Sequence, residues 1–144
     1  MVVGGGAGCH ALAQALNYQA LQEPRIASVY TLALDTYSKQ HVETYCISAK
    51  SYAAHLTRLC VGVEHDGDPA LYAALQRWYH GGLTKPEVLD NRGTTRLVDV
   101  QKLDDVEEKV AAIKEWARHV WDVYASQHEL ARAWIQEALH QKRR

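Results

Sequence analysis

Phenylalanine is absent from this chain. So are a strong net charge, a paired cysteine spacing and an apolar run long enough to cross a bilayer. Each absence removes a class of explanation. Without phenylalanine, eight tyrosines and four tryptophans supply the aromatic bulk, and each carries a polar handle that needs a partner when buried. A formal net charge of −1 gives no general electrostatic case for nucleic acid or an anionic membrane as partner. The one basic cluster, Lys142, Arg143 and Arg144, suits the carbonyl end of a helix. The three cysteines, Cys9, Cys46 and Cys60, are odd in number and unpaired in spacing. That argues against a secreted disulfide framework and favours a cytoplasmic protein. The opening "MVVGGGAGCHALAQAL" has no basic leader and no cleavage signal, so no signal peptide is expected. Its "GGGAG" has neither a preceding strand nor a Lys-Ser/Thr ending, which excludes a phosphate loop.

What is present is helical periodicity. The chain has 144 residues, 47% of them hydrophobic and 23% charged, as expected for one globular domain. Residues 1–8 read as a flexible glycine-rich start, and 9–144 as the domain. A first helix is expected from Cys9 to Gln22, with Pro24 stopping it or opening the next element. A second runs from 25 to 43, with Ile26, Val29, Tyr30, Ala33, Leu34, Tyr37 and His41 in one seam. A third starts at an N-cap serine, Ser48 or Ser51, and ends near Glu64. "HDGDP" is a turn, and a short helix follows from Ala70 to Tyr79. Residues 81–102 read as an irregular loop with one short extended piece in "TTRLVDV". Beyond it, Val106, Val110, Ile113, Ala117, Val120, Tyr124, His128, Ala131, Ile135 and Ala138 recur at steps of three and four, with no Gly or Pro between. That predicts one long last helix of about nine turns. The fold class is all-α: a four-helix-like bundle with a short extra helix and an irregular loop before the last helix.

Three seam positions hold histidine where leucine would be ordinary: His41, His55 and His128, one on each of three helices. Bundle cores build metal sites from side chains projecting off facing helices. Three imidazoles plus a water would suit a divalent ion, with zinc the leading candidate, and could activate that water as a nucleophile. Asp35, at the border of the seam, and Glu64, at the end of the third helix, could complete the site or orient a histidine. Tyr37, Tyr124 and Gln40 are candidate supports, Gln40 also reading as polar rim. The alternative is a buried hydrogen-bond network of His, Tyr and Asp. His119 lies about 180° from His128 on a helix and cannot share its site. His10, His65, His80 and His140 read as surface residues.

Cys60 falls on the third-helix seam and reads as a small hydrophobe. Trp116, Trp121 and Trp134 widen the apolar surface of the last helix to about half its circumference. The helix is then either packed on two sides or offers a homodimer face.

The segments "LDTYSKQH", "SYAAHLTRLCVGVE" and "EWARHVWDVYASQHELARAW", in that order, resemble a bacterial family of uncharacterised helical proteins. Its members carry V-D-x-Y-x-x-Q-H, then S-x-x-x-H-L with a downstream Glu, then a late Trp-rich segment with His. The resemblance spans residues 9–135 and falls on Asp35, Tyr37, Gln40, His41, Ser51, His55, Leu56, Glu64, Trp116, Trp121 and His128. Members often begin with a C-x-x-C-G segment, of which only Cys9 could match here. The histidine layout is also similar to the DinB/YfiT group of metal-binding four-helix bundles. That likeness implies three bundle histidines around a divalent ion. The late H-x-x-x-H pair of that group is missing, because Tyr124 stands one turn before His128.

Two functions are therefore expected. One is a divalent-metal-binding bundle, with hydrolase or transferase chemistry on a small molecule. The other is a non-catalytic interaction or ligand-binding module. Neither involves nucleic acid or a membrane.

Overall fold

The computed structural model describes residues 7–79 and 82–141, with side chains from Ala11 onward. The expectations for the first six residues, the side chains of Cys9 and His10, His80, and the basic end Lys142–Arg144 lie outside the described residues. Eight α-helices follow in order: α1 Ala7–Gln22, α2 Pro24–Gln40, α3 Val42–Tyr45, α4 Ala49–Glu64, α5 Pro69–Trp78, α6 Leu97–Gln101, α7 Val106–Val123 and α8 His128–His140. The described residues contain no strand. None of their helices is long and apolar enough to cross a membrane.

Local chemistry sets most of the starts. Pro24, which lacks the N–H that a first turn cannot use, opens α2. Ser48 and Ser51 form a reciprocal capping box at α4, at 3.0 and 3.1 Å. Asp68 accepts from the Ala70 amide ahead of α5, and Asp105 from the Glu108 amide ahead of α7, each at 2.9 Å. Between α4 and α5 the expected turn forms, with Asp66 and Gly67 both at positive φ.

Packing is centred on α2, which lies against α1, α4 and α7; α8 packs on α4 and α5, and α6 joins α1 to α7. The seam of α2 buries Ile26, Val29, Ala33 and Tyr37 as the spacing predicts. Leu34 departs from it: it is 38% exposed, while its neighbour Asp35 is 2% exposed. Close approach of α4 to α2 uses Gly62, where a Cβ would stand 2.5 Å from Leu32 Cδ1. Trp116, Trp121 and Trp134 are all buried within the chain, so the last helices are packed on two sides. The tryptophan surface that could have faced a partner is used internally.

Three elements differ from the sequence expectation. The second helix stops at Gln40, and His41 (φ −120°, ψ 51°) separates it from the four-residue α3. The extended piece near residue 97 is instead α6. Its Leu97 and Val100 are buried three apart, and the Asp99 side chain accepts from the Arg96 amide at 2.8 Å. The long last helix is two helices joined by a 3₁₀ turn, Ala125–Gln127. The break is made by tertiary bonds. The Tyr124 hydroxyl donates to the Lys39 carbonyl. Gln127 accepts from the Tyr52 hydroxyl at 2.6 Å and donates to the Glu87 carbonyl at 2.9 Å.

Candidate functional site

The three seam histidines have separate surroundings. His55, on α4, meets Asp35 of α2, with Nδ1 at 2.9 Å from Oδ1. His128 stacks on Trp121, centroids 3.8 Å apart and planes within 11°, and its Nε2 hydrogen-bonds the Trp121 carbonyl at 2.6 Å. His41 sits at the α2–α3 junction with its ring 4.1 Å from that of Tyr37. Its amide donates to the Tyr37 and Ser38 carbonyls, and its own carbonyl accepts from Thr44 and Tyr45. Among the described residues, no three His, Cys, Asp or Glu side chains are grouped so as to hold a metal ion.

The Asp35–His55 pair belongs to a larger set. Arg58, one turn beyond His55 on α4, donates from Nε to the other carboxylate oxygen of Asp35 at 3.3 Å. Its guanidinium carbon lies 4.7 Å from the Tyr72 ring centroid, a cation–π contact from α5. Burial pushes the Asp35 carboxyl above its ordinary range, and the bonds to His55 and the charge of Arg58 pull it back. His55 and Arg58 keep 27% and 26% of their side-chain surface in solvent.

Tyr72 also borders a groove of about 660 Å³ between α2, the α4–α5 turn and α7. Ser28, Thr31 and Leu32 form one wall, Gly62, Asp66 and Gly67 the floor and turn, and Lys114, Glu115 and Arg118 the other wall. Glu115 and Arg118 pair with one another. Leu32 and Gly62 precede and follow Asp35 and Arg58 by about one helical turn, so the groove ends where the Asp35–His55–Arg58 set begins.

Glu64 is not a free carboxylate. Arg132 of α8 bonds both its oxygens, Trp121 Nε1 donates to Oε2 at 3.1 Å, and the Cys60 thiol lies 3.5 Å from Oε1. Arg132 holds the Glu64 carboxyl at about 2, well below the ordinary range. Burial and Glu64 push the Cys60 thiol up to about 12, so Cys60 is a neutral side chain of the core, as its seam position implies. Gln40 is buried rather than at a polar rim. It accepts from Trp116 Nε1 at 3.1 Å and donates to the Arg92 and Thr95 carbonyls at 3.2 and 2.7 Å. His65 and His140 are exposed, as expected. His119 accepts the Thr94 amide on Nε2 at 3.1 Å.

The chain belongs to a family of unknown function, DUF5946.

The family match covers residues 1–125. It takes in Asp35, His55, Arg58, Tyr72 and the whole groove, and stops before Gln127, His128 and Arg132. No curated protein and no solved structure matches the chain.

Sequence reasoning missed Arg58, Tyr72 and Lys39. Arg58 could have been found from its i+3 spacing to His55 on one helix face. Lys39 gave no signal, because lysine reads as surface. It is 0% exposed, with Nζ 3.1 Å from the Tyr52 ring centroid and 3.9 Å from Cys46 Sγ. Burial lowers its amine to about 7.

Proposed function

We propose that this chain is a non-catalytic helical module that binds a small molecule in the groove between α2, the α4–α5 turn and α7. The observation that carries this reading is the groove itself. Its volume of about 660 Å³ falls within the roughly 300–1,000 Å³ of small-molecule sites. Its walls mix Leu32, Val63 and Tyr72 with a few polar and charged groups, the composition that fixes a ligand's orientation. The bonds of Asp35 to His55 and of Gln40 to Trp116 tie α2 to α4 and to α7. A fragment screen followed by ¹H–¹⁵N NMR tests the reading. Binders should shift the amides of Gly62, Gly67 and Tyr72 together. A screen in which no fragment moves those amides overturns it.

The rival reading is a divalent ion, zinc first, held by His41, His55 and His128. One observation favours it: Asp35 holds His55 by Nδ1, as a carboxylate does behind a metal-ligating histidine. Against it stands the bonding of the His128 Nε2 to a backbone carbonyl, which a shared ion would have to displace. Elemental analysis beside the His41→Ala/His128→Ala double variant separates the two. About one metal per chain in the wild type, lost in the variant, would replace the groove reading.

A further inference from the structure

We propose that the groove's ligand carries an anionic group, a carboxylate or a phosphate, which Arg58 and His55 bind at the Tyr72 end. This rests on the groove being the binding site.

Arg58 and His55 each leave nitrogen atoms unused. Arg58 is fixed twice, by Nε on Asp35 and by its guanidinium face over Tyr72. Its Nη1 and Nη2 donate to no acceptor among the described residues. His55 is fixed by Nδ1 on Asp35, and its Nε2 likewise has no hydrogen-bond partner among the described residues. The open fork of Arg58 and the outer ring edge of His55, one turn apart on a single face of α4, are thus only partly covered. A guanidinium with two parallel N–H groups matches the two oxygens of a carboxylate or phosphate, which a lysine ammonium does not.

Charge points the same way. The charge of Asp35 is offset by the Arg58 guanidinium on one of its oxygens, and its side chain is buried behind Arg58 and His55. Lys114, on the far wall, adds a second cation with no acceptor among the described residues. Glu115 is occupied by Arg118. Tyr72 makes the two regions one site, since its ring both supports Arg58 and borders the groove.

The test is an NMR titration of the full chain with inorganic phosphate and, separately, with sodium acetate, against sodium chloride at equal ionic strength. The expected result is saturable shifts of the Arg58 Nε–H and the His55 ring protons with at least one anion, and none with chloride. The tighter arm names the anionic group. Arg58→Gln should weaken binding by about tenfold or more, the loss of a charge-assisted bond. Arg58→Lys keeps the charge without the fork and should also weaken it, so the proposal stays decidable if the glutamine variant folds poorly. The absence of saturable shifts at both residues in the wild type overturns it, and so does equal affinity in a folded Arg58→Gln protein. If neutral fragments shift Gly62 and Gly67 while both anions leave Arg58 and His55 unmoved, the anion inference falls and the groove reading stands. Anion binding at Arg58 in a protein that takes no fragment would sink the groove reading instead.

Discussion

The His128 ring lies flat on the Trp121 indole and bonds that residue's own carbonyl. One side chain thereby closes the corner between α7 and α8. His128→Ala removes the stack and the hydrogen bond. The expected loss is about 1–2 kcal/mol. It should appear as a lower urea midpoint with unchanged slope. The loss should be equal with and without a chelator. A loss that disappears when metal is stripped would return His128 to the role of ligand.

Glu64 links α4 to the same corner through Arg132 and Trp121. Its carboxyl titrates at about 2 in the fold, against an ordinary 4.5. Its contribution is therefore present above pH 4.5 and is lost as pH falls toward 2. Arg132 is half exposed, so solvent screening limits the effect to about 1 kcal/mol. Glu64→Gln should be destabilised by that amount at neutral pH and match the wild type near the acid limit. A deficit that persists at the lowest pH would assign Glu64 a packing role.

Lys39 places its amine inside the core, against the Tyr52 ring. Its amine titrates at about 7 in the fold, against an ordinary 10.5, because burial disfavours the charge. Between those values the unfolded chain holds the extra proton, so this group makes stability rise with pH. Lys39→Met should be more stable than the wild type at pH 6, by about 1–4 kcal/mol. The gap should narrow toward pH 10. Thermal melts across that range measure it, and a constant offset would mean that Lys39 does not titrate there.

Gly62 faces Leu32 across the groove floor, with no room for a Cβ until Leu32 moves. Gly62→Ala removes a helix glycine, which favours α4 by about 1 kcal/mol, but drives the Leu32 side chain aside. Because Leu32 lines the groove, fragment affinity should fall while the melting temperature changes by a few degrees at most. Unchanged affinity would take Leu32 out of the binding surface.

Where local chemistry decides, the sequence was legible. The serine cap of α4 and the HDGDP turn mark helix starts, and the steps of three and four mark most of the core. Asp35 and His55 stood out as polar residues at seam positions, and the fold pairs them. The breaks at His41 and at Tyr124–Gln127 were not legible. Neither contains Gly or Pro. The second is made by bonds to Lys39 and Tyr52, which are 85 and 75 positions away from their partners. Arg58 and Lys39 were hidden for a related reason: long cations read as solvated until the tertiary fold supplies a carboxylate or an aromatic ring beside them.

Gln40 shows how one such side chain orders a whole connection. Its amide accepts from Trp116 and donates to the carbonyls of Arg92 and Thr95. Arg92 returns a bond to the Gln40 carbonyl and pairs with Glu43. Gln40 therefore holds the segment before α6 against the end of α2. Gln40→Leu is similar in bulk but leaves a buried indole N–H and two carbonyls without their partner. Each such group costs about 1–3 kcal/mol unless water reaches it. The segment has no helical hydrogen bonds of its own between residues 82 and 96, so water will reach it by local opening. The expected outcome is twofold. Global stability falls by about 2–3 kcal/mol, and hydrogen exchange at residues 92–96 speeds up more than exchange in α4. Equal acceleration in both would mean that Gln40 supports the core as a whole and not the connection.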